Sequence, residues 1–268
     1  MLISAHCNHL TLRGLRPSTI TARRKVLTAY DNHLAGVPIL DATRLHVEAF
    51  LARDLAPESR RAYRNHIASF YAWAIDEQYT SSDPTTRVPR ITVPKALPRP
   101  MSSNDLARAM FRGTPRMRAW LTLMALAGLR CIEVSGLRPE DLSTSATGGP
   151  VMFLRECKGG GQAVLPCHPG ILQALAVLPV RGGLWWTTTP QQVSRTVNVH
   201  LRSCGITSTA HSLRHRAGTD WYAASGHDLL VTASLLRHVN VSTTQTYAQL
   251  DPTRTAQVAR LVTLPSVA

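Results

Sequence analysis

Along the first 80 residues the apolar positions return at steps of three and four, the period of a helix with one buried side. Pro17-Ser18-Thr19 opens such a segment, predicted over residues 17–34, and Gly36-Val37-Pro38 closes it. A second helix is predicted over roughly residues 43–53. A third begins after Pro57, with Glu58 in its first turn, where the helix dipole favours a carboxylate. Tyr63, Ile67, Phe70 and Ala74 form the buried stripe of that helix. Arg60, Arg61 and Arg64 fall off the stripe and make a basic face, either simply solvated or set against a polyanion.

The pattern then breaks. Residues 81–100 hold five prolines and no helical period. Proline lacks the donor for a ladder and biases its predecessor to extended geometry, so this stretch reads as a stiff, extended linker punctuated by Arg87, Arg90, Lys95 and Arg99. Helical patterning resumes after Ser102-Ser103, a candidate N-cap. Residues 120–127 are apolar nearly all round, as in a buried helix, and Gly128 ends them. After a short helix, residues 151–155 and 162–166 flank Lys158 and three glycines as a β hairpin. From Pro169 onward the pattern is helical to the C-terminus. These elements predict a mainly α (α+β) chain: a helical domain at 1–80, a Pro-rich basic linker at 81–100, and a mostly helical domain with a small antiparallel β-sheet at 101–268.

Charge changes the picture next. The 268 residues carry 30 Lys plus Arg against 16 Asp plus Glu, a formal +14. The excess is shared, with 14 basic to 8 acidic side chains in residues 1–100 and 16 to 8 in residues 101–268. Positive charge in both halves suits a polyanion gripped from two sides. No amphipathic Lys-rich helix supports a membrane surface as the partner. Only Lys25, Lys95 and Lys158 are lysines, so arginine, whose planar fork matches phosphate oxygens, supplies the rest. Cys7, Cys131, Cys157, Cys167 and Cys204 form no paired framework and no spaced zinc pairs, which reads as reduced thiols and no metal site. The N-terminus lacks the basic segment and apolar run of a signal peptide, and the longest apolar stretch, residues 119–129, is too short for a bilayer. A soluble cytoplasmic protein is expected.

Four stretches carry candidate chemistry. In Gly128-Leu-Arg130-Cys-Ile-Glu133, an arginine follows a buried helix and must meet anions, because an unpartnered buried guanidinium is costly. Glu133 is placed to hold it, as a structural pair or a functional one. Lys158 sits at a glycine-rich tip, where it either reaches a ligand or is an ordinary exposed hairpin lysine. In His211-Ser-Leu-Arg214-His215, helical spacing puts residues 211 and 214 on one face. Finally, His238 and Tyr247 lie nine residues apart across a break and a new helix start.

Taken in order, these stretches resemble the tyrosine recombinases, which include the phage integrases. The set Arg130, Lys158, His211, Arg214, His238 and Tyr247 fills every position of that family's catalytic pattern of Arg, Lys, His-x-x-Arg, His or Trp, then Tyr. Gly128-Leu-Arg130-Cys-Ile-Glu133-Val-Ser-Gly-Leu137 is similar to the family's first arginine box, and Ser242-Thr243-Thr244-x-x-Tyr247 to its nucleophile box. One departure stands out: the family commonly has glycine directly before the second-box histidine, and this chain has Arg237.

The resemblance implies a core-type DNA-binding domain at 1–80 and a catalytic domain with a C-terminal tail at 101–268. It implies metal-independent cleavage and rejoining of double-stranded DNA at core-type sites, through a 3′-phosphotyrosyl intermediate, for phage or mobile-element integration and excision in a bacterial host. Arg130 and Arg214 would clamp the non-bridging phosphate oxygens and Tyr247 would attack. His211 would serve as base, Lys158 would protonate the leaving 5′-oxygen, and His238 would donate a hydrogen bond to the phosphate. No cofactor is expected. Arg60, Arg61, Arg64, Arg87, Arg90 and Lys95 are the candidate DNA contacts. The helical domain starts almost at once, leaving no room for a separate arm-binding domain. The tail, with Val258, Leu261 and Val262 at helical spacing, would dock on a neighbouring protomer of a homo-tetramer, or on its own domain. The rival readings are a non-catalytic DNA-binding protein of the same fold and a type IB topoisomerase-like relaxing enzyme.

Overall fold

The computed structural model describes residues 1–93, 97–146, 148–157, 160–238 and 244–245. Lys95, Lys158, Tyr247 and the C-terminal tail lie outside the described residues. The chain divides into two compact units, Met1–Lys95 and Ala96–Ala268.

In the first unit, helices α1 (Leu2–Leu12), α2 (Pro17–His33), α3 (Arg44–Ala52) and α4 (Pro57–Asp76) surround one core. Proline opens both α2 and α4, where its missing N–H would have been unsatisfied anyway. The backbone N–H of Thr43 donates to His46 Nδ1 at 3.0 Å, closing the start of α3. Leu27, Tyr30, Phe50, Ile67, Phe70 and Tyr71 are fully buried at the centre, each aromatic contributing on the order of 2–3 kcal/mol by leaving water. Tyr71 is accommodated because its hydroxyl donates to the Ile39 carbonyl.

Two features differ from the sequence reading. Helix α1 precedes the first predicted helix; it buries His6, Cys7 and Leu10, with the His6 ring edge-on to Phe70 and 5.1 Å from Trp73. The start of the proline-rich stretch is also not extended. Asp83 Oδ1 accepts from the backbone N–H and hydroxyl of Thr85, and the Val88 N–H turns back to the Thr85 carbonyl. Thr85 and Val88 are buried in the first unit's core.

Two of the off-stripe arginines fold back onto backbone, one of them onto this turn. Arg64 Nη2 donates to the carbonyls of Thr85 and Val88, both at 3.1 Å. Arg60 closes the α3–α4 connection through Leu51 (2.8 Å) and Leu55 (3.2 Å). These guanidiniums tie down backbone, whereas Arg61, Arg87 and Arg90 are exposed. An arginine stem is long enough to fold back from the polar side of a helix, which periodicity alone does not register.

The second unit is built around α6 (Pro115–Leu126), whose residues 119–125 are buried on every side. It packs against α5 (Ser103–Arg112), α8 (Pro169–Ala176) and α10 (Ala210–Ala224). The Ser102 side chain caps α5 by accepting from the Asp105 N–H. The sheet is antiparallel in the order β1 (Leu142–Thr144), β2 (Pro150–Leu154), β3 (Ala163–Pro166), with Met152 opposite both Leu142 and Leu165. Strand β1 adds to the predicted hairpin. Helices α7 (Cys131–Gly136), α9 (Pro190–Ser203) and α11 (Leu229–Leu236) complete the unit. The segment between α8 and α9 is not helical; it carries Trp186, whose indole N–H donates to the Val134 carbonyl at 3.0 Å and holds the end of α7. Among the described residues no helix is long and apolar enough to cross a membrane.

Removing the Arg64 anchor leaves two partly buried carbonyls without their donor, so Arg64→Ala should cost the first unit about 1–3 kcal/mol in urea denaturation. Arg61→Ala, on the exposed face, should stay within about 0.5 kcal/mol of wild type.

Candidate active site

Helix α6 ends in a turn that only glycine fits well. Gly128 has φ +55°, and an added Cβ would lie 3.1 Å from Leu236 Cδ2. The Leu129 N–H reaches back to the Leu123 carbonyl (3.3 Å), and the chain then emerges extended at Arg130, the N-cap of α7. The Arg130 backbone N–H donates to Glu133 Oε2 at 2.7 Å, and its Nη1 pairs with Glu133 Oε1 at 3.1 Å. The Glu133 side chain is wholly buried. Burial alone would raise its carboxyl pKa, but the Arg237 charge, the Arg130 N–H and Arg214 outweigh it and hold the group below its ordinary value.

Helix α10 begins at the N-cap Thr209, with Asn198 Oδ1 accepting from the Ala210 N–H at 2.8 Å. One turn carries both His211 and Arg214. Arg214 is 3% exposed, and its two terminal nitrogens donate to the carbonyls of Gly128 and Leu236. These bonds join α10 to the turn before α7 and to the end of α11. Arg130, His211 and Arg214 line one cleft of about 400 Å³, with Ser194 and Asn198 on its α9 wall.

Helix α11 starts with Asp228 accepting from the Leu230 and Val231 N–H groups. It ends at Arg237 in the left-handed conformation, φ 54° and ψ 46°. His238 follows, its N–H bonded to the Ala233 carbonyl and its Nδ1 2.8 Å from Thr244 Oγ1, a fully buried hydroxyl. Burial, then the cations of Arg214, Arg130 and Arg237 and the ring of His211, lower the His238 pKa to about 4. His238 is therefore neutral at pH 7. A neutral imidazole carries one ring N–H; in the tautomer whose Nδ1 accepts from the Thr244 hydroxyl, that donor is Nε2. His215 packs edge-on to His211, ring centroids 4.5 Å apart, and is lowered to about 4 by burial, His211 and Arg214.

Four of the six predicted catalytic side chains, Arg130, His211, Arg214 and His238, thus sit on three segments tied to one another. Lys158 and Tyr247 lie outside the described residues. Sequence reasoning noted Arg237 only as a departure and missed both its bonds to Glu133 and the Thr244 partner of His238. The available signal for Arg237 was an arginine at the stop of an apolar helix in a chain with a buried-helix Glu133 to match.

Two guanidiniums and an imidazole on one cleft, tied to a second, neutral imidazole, define an anion-binding centre suited to a phosphodiester. Comparison with known proteins agrees. Residues 103–254 match the model of the phage integrase family. The tyrosine recombinase XerC of Rhodospirillum centenum is 30% identical over 239 residues, covering 79% of this chain and 68% of that protein. The tyrosine recombinase XerD of Staphylococcus epidermidis is 26% identical over 93% of this chain and 94% of its own length. In fold, the chain resembles a chain of a lambda integrase dimer bound to a COC′ core site (TM-score 0.75, 16% identity, 90% of this chain and 95% of that one). A post-cleavage complex of the XerH site-specific recombinase gives a TM-score of 0.70 at 17% identity, over 92% of this chain and 80% of that one. The chain belongs to the phage integrase family.

The depressed histidines set the acid response. A histidine whose folded pKa lies below its unfolded value takes its proton first in the unfolded chain, so acidification favours unfolding. His6, His215 and His238 each drop from 6.5 to about 4. Stability should therefore fall steadily from pH 6.5 to pH 4 in urea titrations. The contribution of Glu133 is lost only at lower pH, as its carboxyl protonates below the ordinary value.

Proposed function

We propose that this protein is a tyrosine site-specific recombinase that cuts and rejoins double-stranded DNA at short core-type sites. The observation that carries the reading is the shared cleft of Arg130, His211 and Arg214, with His238 held neutral at its side. The family's six-residue pattern supplies Lys158 and Tyr247.

In this reading the two guanidiniums bind the non-bridging oxygens and oppose the charge that grows there as the phosphoryl group transfers. The Tyr247 phenolate oxygen bonds to phosphorus, and the bond from phosphorus to the 5′-oxygen breaks. The phenol proton passes to His211, since an unperturbed tyrosine with pKa ~10 requires a base. Lys158 gives its proton to the departing 5′-oxygen, and His238 Nε2–H donates to the phosphate. The product is a 3′-phosphotyrosyl link and a free 5′-hydroxyl. A 5′-hydroxyl from a second duplex reverses the step and releases the phenol, so the phosphodiester energy is kept throughout.

The XerH and lambda integrase structures are protein–DNA complexes, and one lambda integrase structure is a tetramer on a Holliday junction. We assign this chain the same kind of partner: duplex core sites paired by a homo-tetramer, on phage or chromosomal DNA inside a bacterial cell. Integration and excision of a mobile element is the role we assign to it. The N-terminal unit, with Arg61, Arg87 and Arg90 exposed, serves as the core-site grip.

On nicked, labelled duplexes from the flanks of its own gene, wild type should become covalently attached. Tyr247→Phe should bind the same DNA with no adduct; an adduct from that variant would remove Tyr247 as nucleophile. Cleavage should persist in excess EDTA, because guanidiniums carry the charge clamp, and a block by EDTA would refute that arrangement. Two-site recombination without relaxation of site-free supercoils separates the enzyme from a topoisomerase.

A further inference from the structure

We propose that Arg237 is a positioning residue for cleavage: it saturates the buried Glu133 so that Arg130 stays available to the phosphate, and it fixes the spacing between Arg130 and His238. The inference rests on reading Arg130 as a phosphate clamp.

The backbone at Arg237 is one that glycine adopts freely and a side chain resists. An arginine there needs compensation from its side chain, which is 7% exposed. All three guanidinium nitrogens are used. Nη2 donates to Glu133 Oε2 at 2.7 Å and to the Gly128 carbonyl at 3.1 Å. Nε approaches Glu133 Oε1 at 3.4 Å, and Nη1 donates to the carbonyls of Leu235 (2.7 Å) and Ala127 (3.5 Å). One side chain therefore bolts the end of α11, which leads into His238, to the turn that presents Arg130. Arg214 braces the same two segments through Gly128 and Leu236.

Glu133 is the reason the bolt matters. Its side chain has no solvent exposure, and its oxygens face one cation from Arg130 and one from Arg237. Arg130 spends Nη1 on this carboxylate. With Arg237 gone, the buried charge would keep Arg130 as its one ion-pair partner and draw more of the Arg130 fork inward, away from a phosphate. Arg237 thus acts on the reaction through Glu133 and touches no reacting atom.

Arg237→Gly removes the guanidinium and supplies the residue best suited to φ 54°, so any loss belongs to the side chain. In single-turnover cleavage of the adduct-trapping duplex, R237G should be about 100-fold slower, the scale of a misplaced catalytic group. Its equilibrium DNA affinity should be unchanged, and R237K should recover part of the rate. E133Q/R237G should be no slower than the slower single variant, because both act through one carboxylate. Thermal melting provides the same cycle without DNA: R237G should melt roughly 10 °C lower, and the losses of R237G and E133Q should not add. A wild-type rate for R237G, or losses that multiply in the double variant, would overturn the proposal, and additive melting losses would break the Arg237–Glu133 link on their own. If wild type itself forms no adduct, the recombinase reading falls, and with it the catalytic part of the proposal.

Discussion

A guanidinium taken out of water is expensive until each of its N–H groups finds an acceptor, and much of the second unit is arranged around that requirement. Arg214 meets it by bridging the carbonyls of Gly128 and Leu236, both at helix ends, where backbone acceptors lack partners of their own. Those two carbonyls sit on the segments that deliver Arg130 and His238. The hydrogen bonds of one buried cation therefore also tie the site together: Arg214 links three stretches that are remote in sequence. Gly128 is part of the same solution, since its positive φ and lack of Cβ let the α6 turn approach Leu236 closely enough to share the arginine.

The electrostatics of the cleft follow from the same burial. His215 and His238 stay neutral because the permanent cations nearby and the loss of solvent both oppose a proton. Arg130, Arg214 and Arg237 supply positive charge that does not titrate near neutral pH, while His238 keeps a ring N–H for donation. Charge and hydrogen bonding are divided between residue types instead of being duplicated.

How much of this was legible in the sequence depended on whether a residue's partner was local. Helices α2 and α4 announce themselves through Pro17 and Pro57, α5 through Ser102, and the buried α6 through an unbroken apolar run. Helix α1 offers no such opening, and its buried His6 reads as polar until Phe70 and Trp73 are seen around it. Strand β1 is three partly exposed residues held by pairing with β2, so it has too little pattern to detect. Arg60 and Arg64 lie on the polar side of α4 by period, yet their forks return to the carbonyls of Leu51 and Val88. In the site, Arg130, His211, Arg214 and His238 could be picked out by spacing and family pattern. The bonds from Arg237 to Glu133 and from His238 to Thr244 depend on the fold and on a backbone conformation that residue names do not encode.

The left-handed turn at the end of α11 has an evolutionary side. Glu133 and Arg237 are 104 positions apart, yet they form one buried ion pair. A codon change at Glu133 removes the carboxylate that both Arg130 and Arg237 pair with, and one at Arg237 leaves that carboxylate paired with Arg130 alone, so a change at one position alters the cost of a change at the other. In lineages descended from this protein the two sites should be inherited as a couple, with glycine returning at 237 where the acidic partner has been neutralised or given another cation.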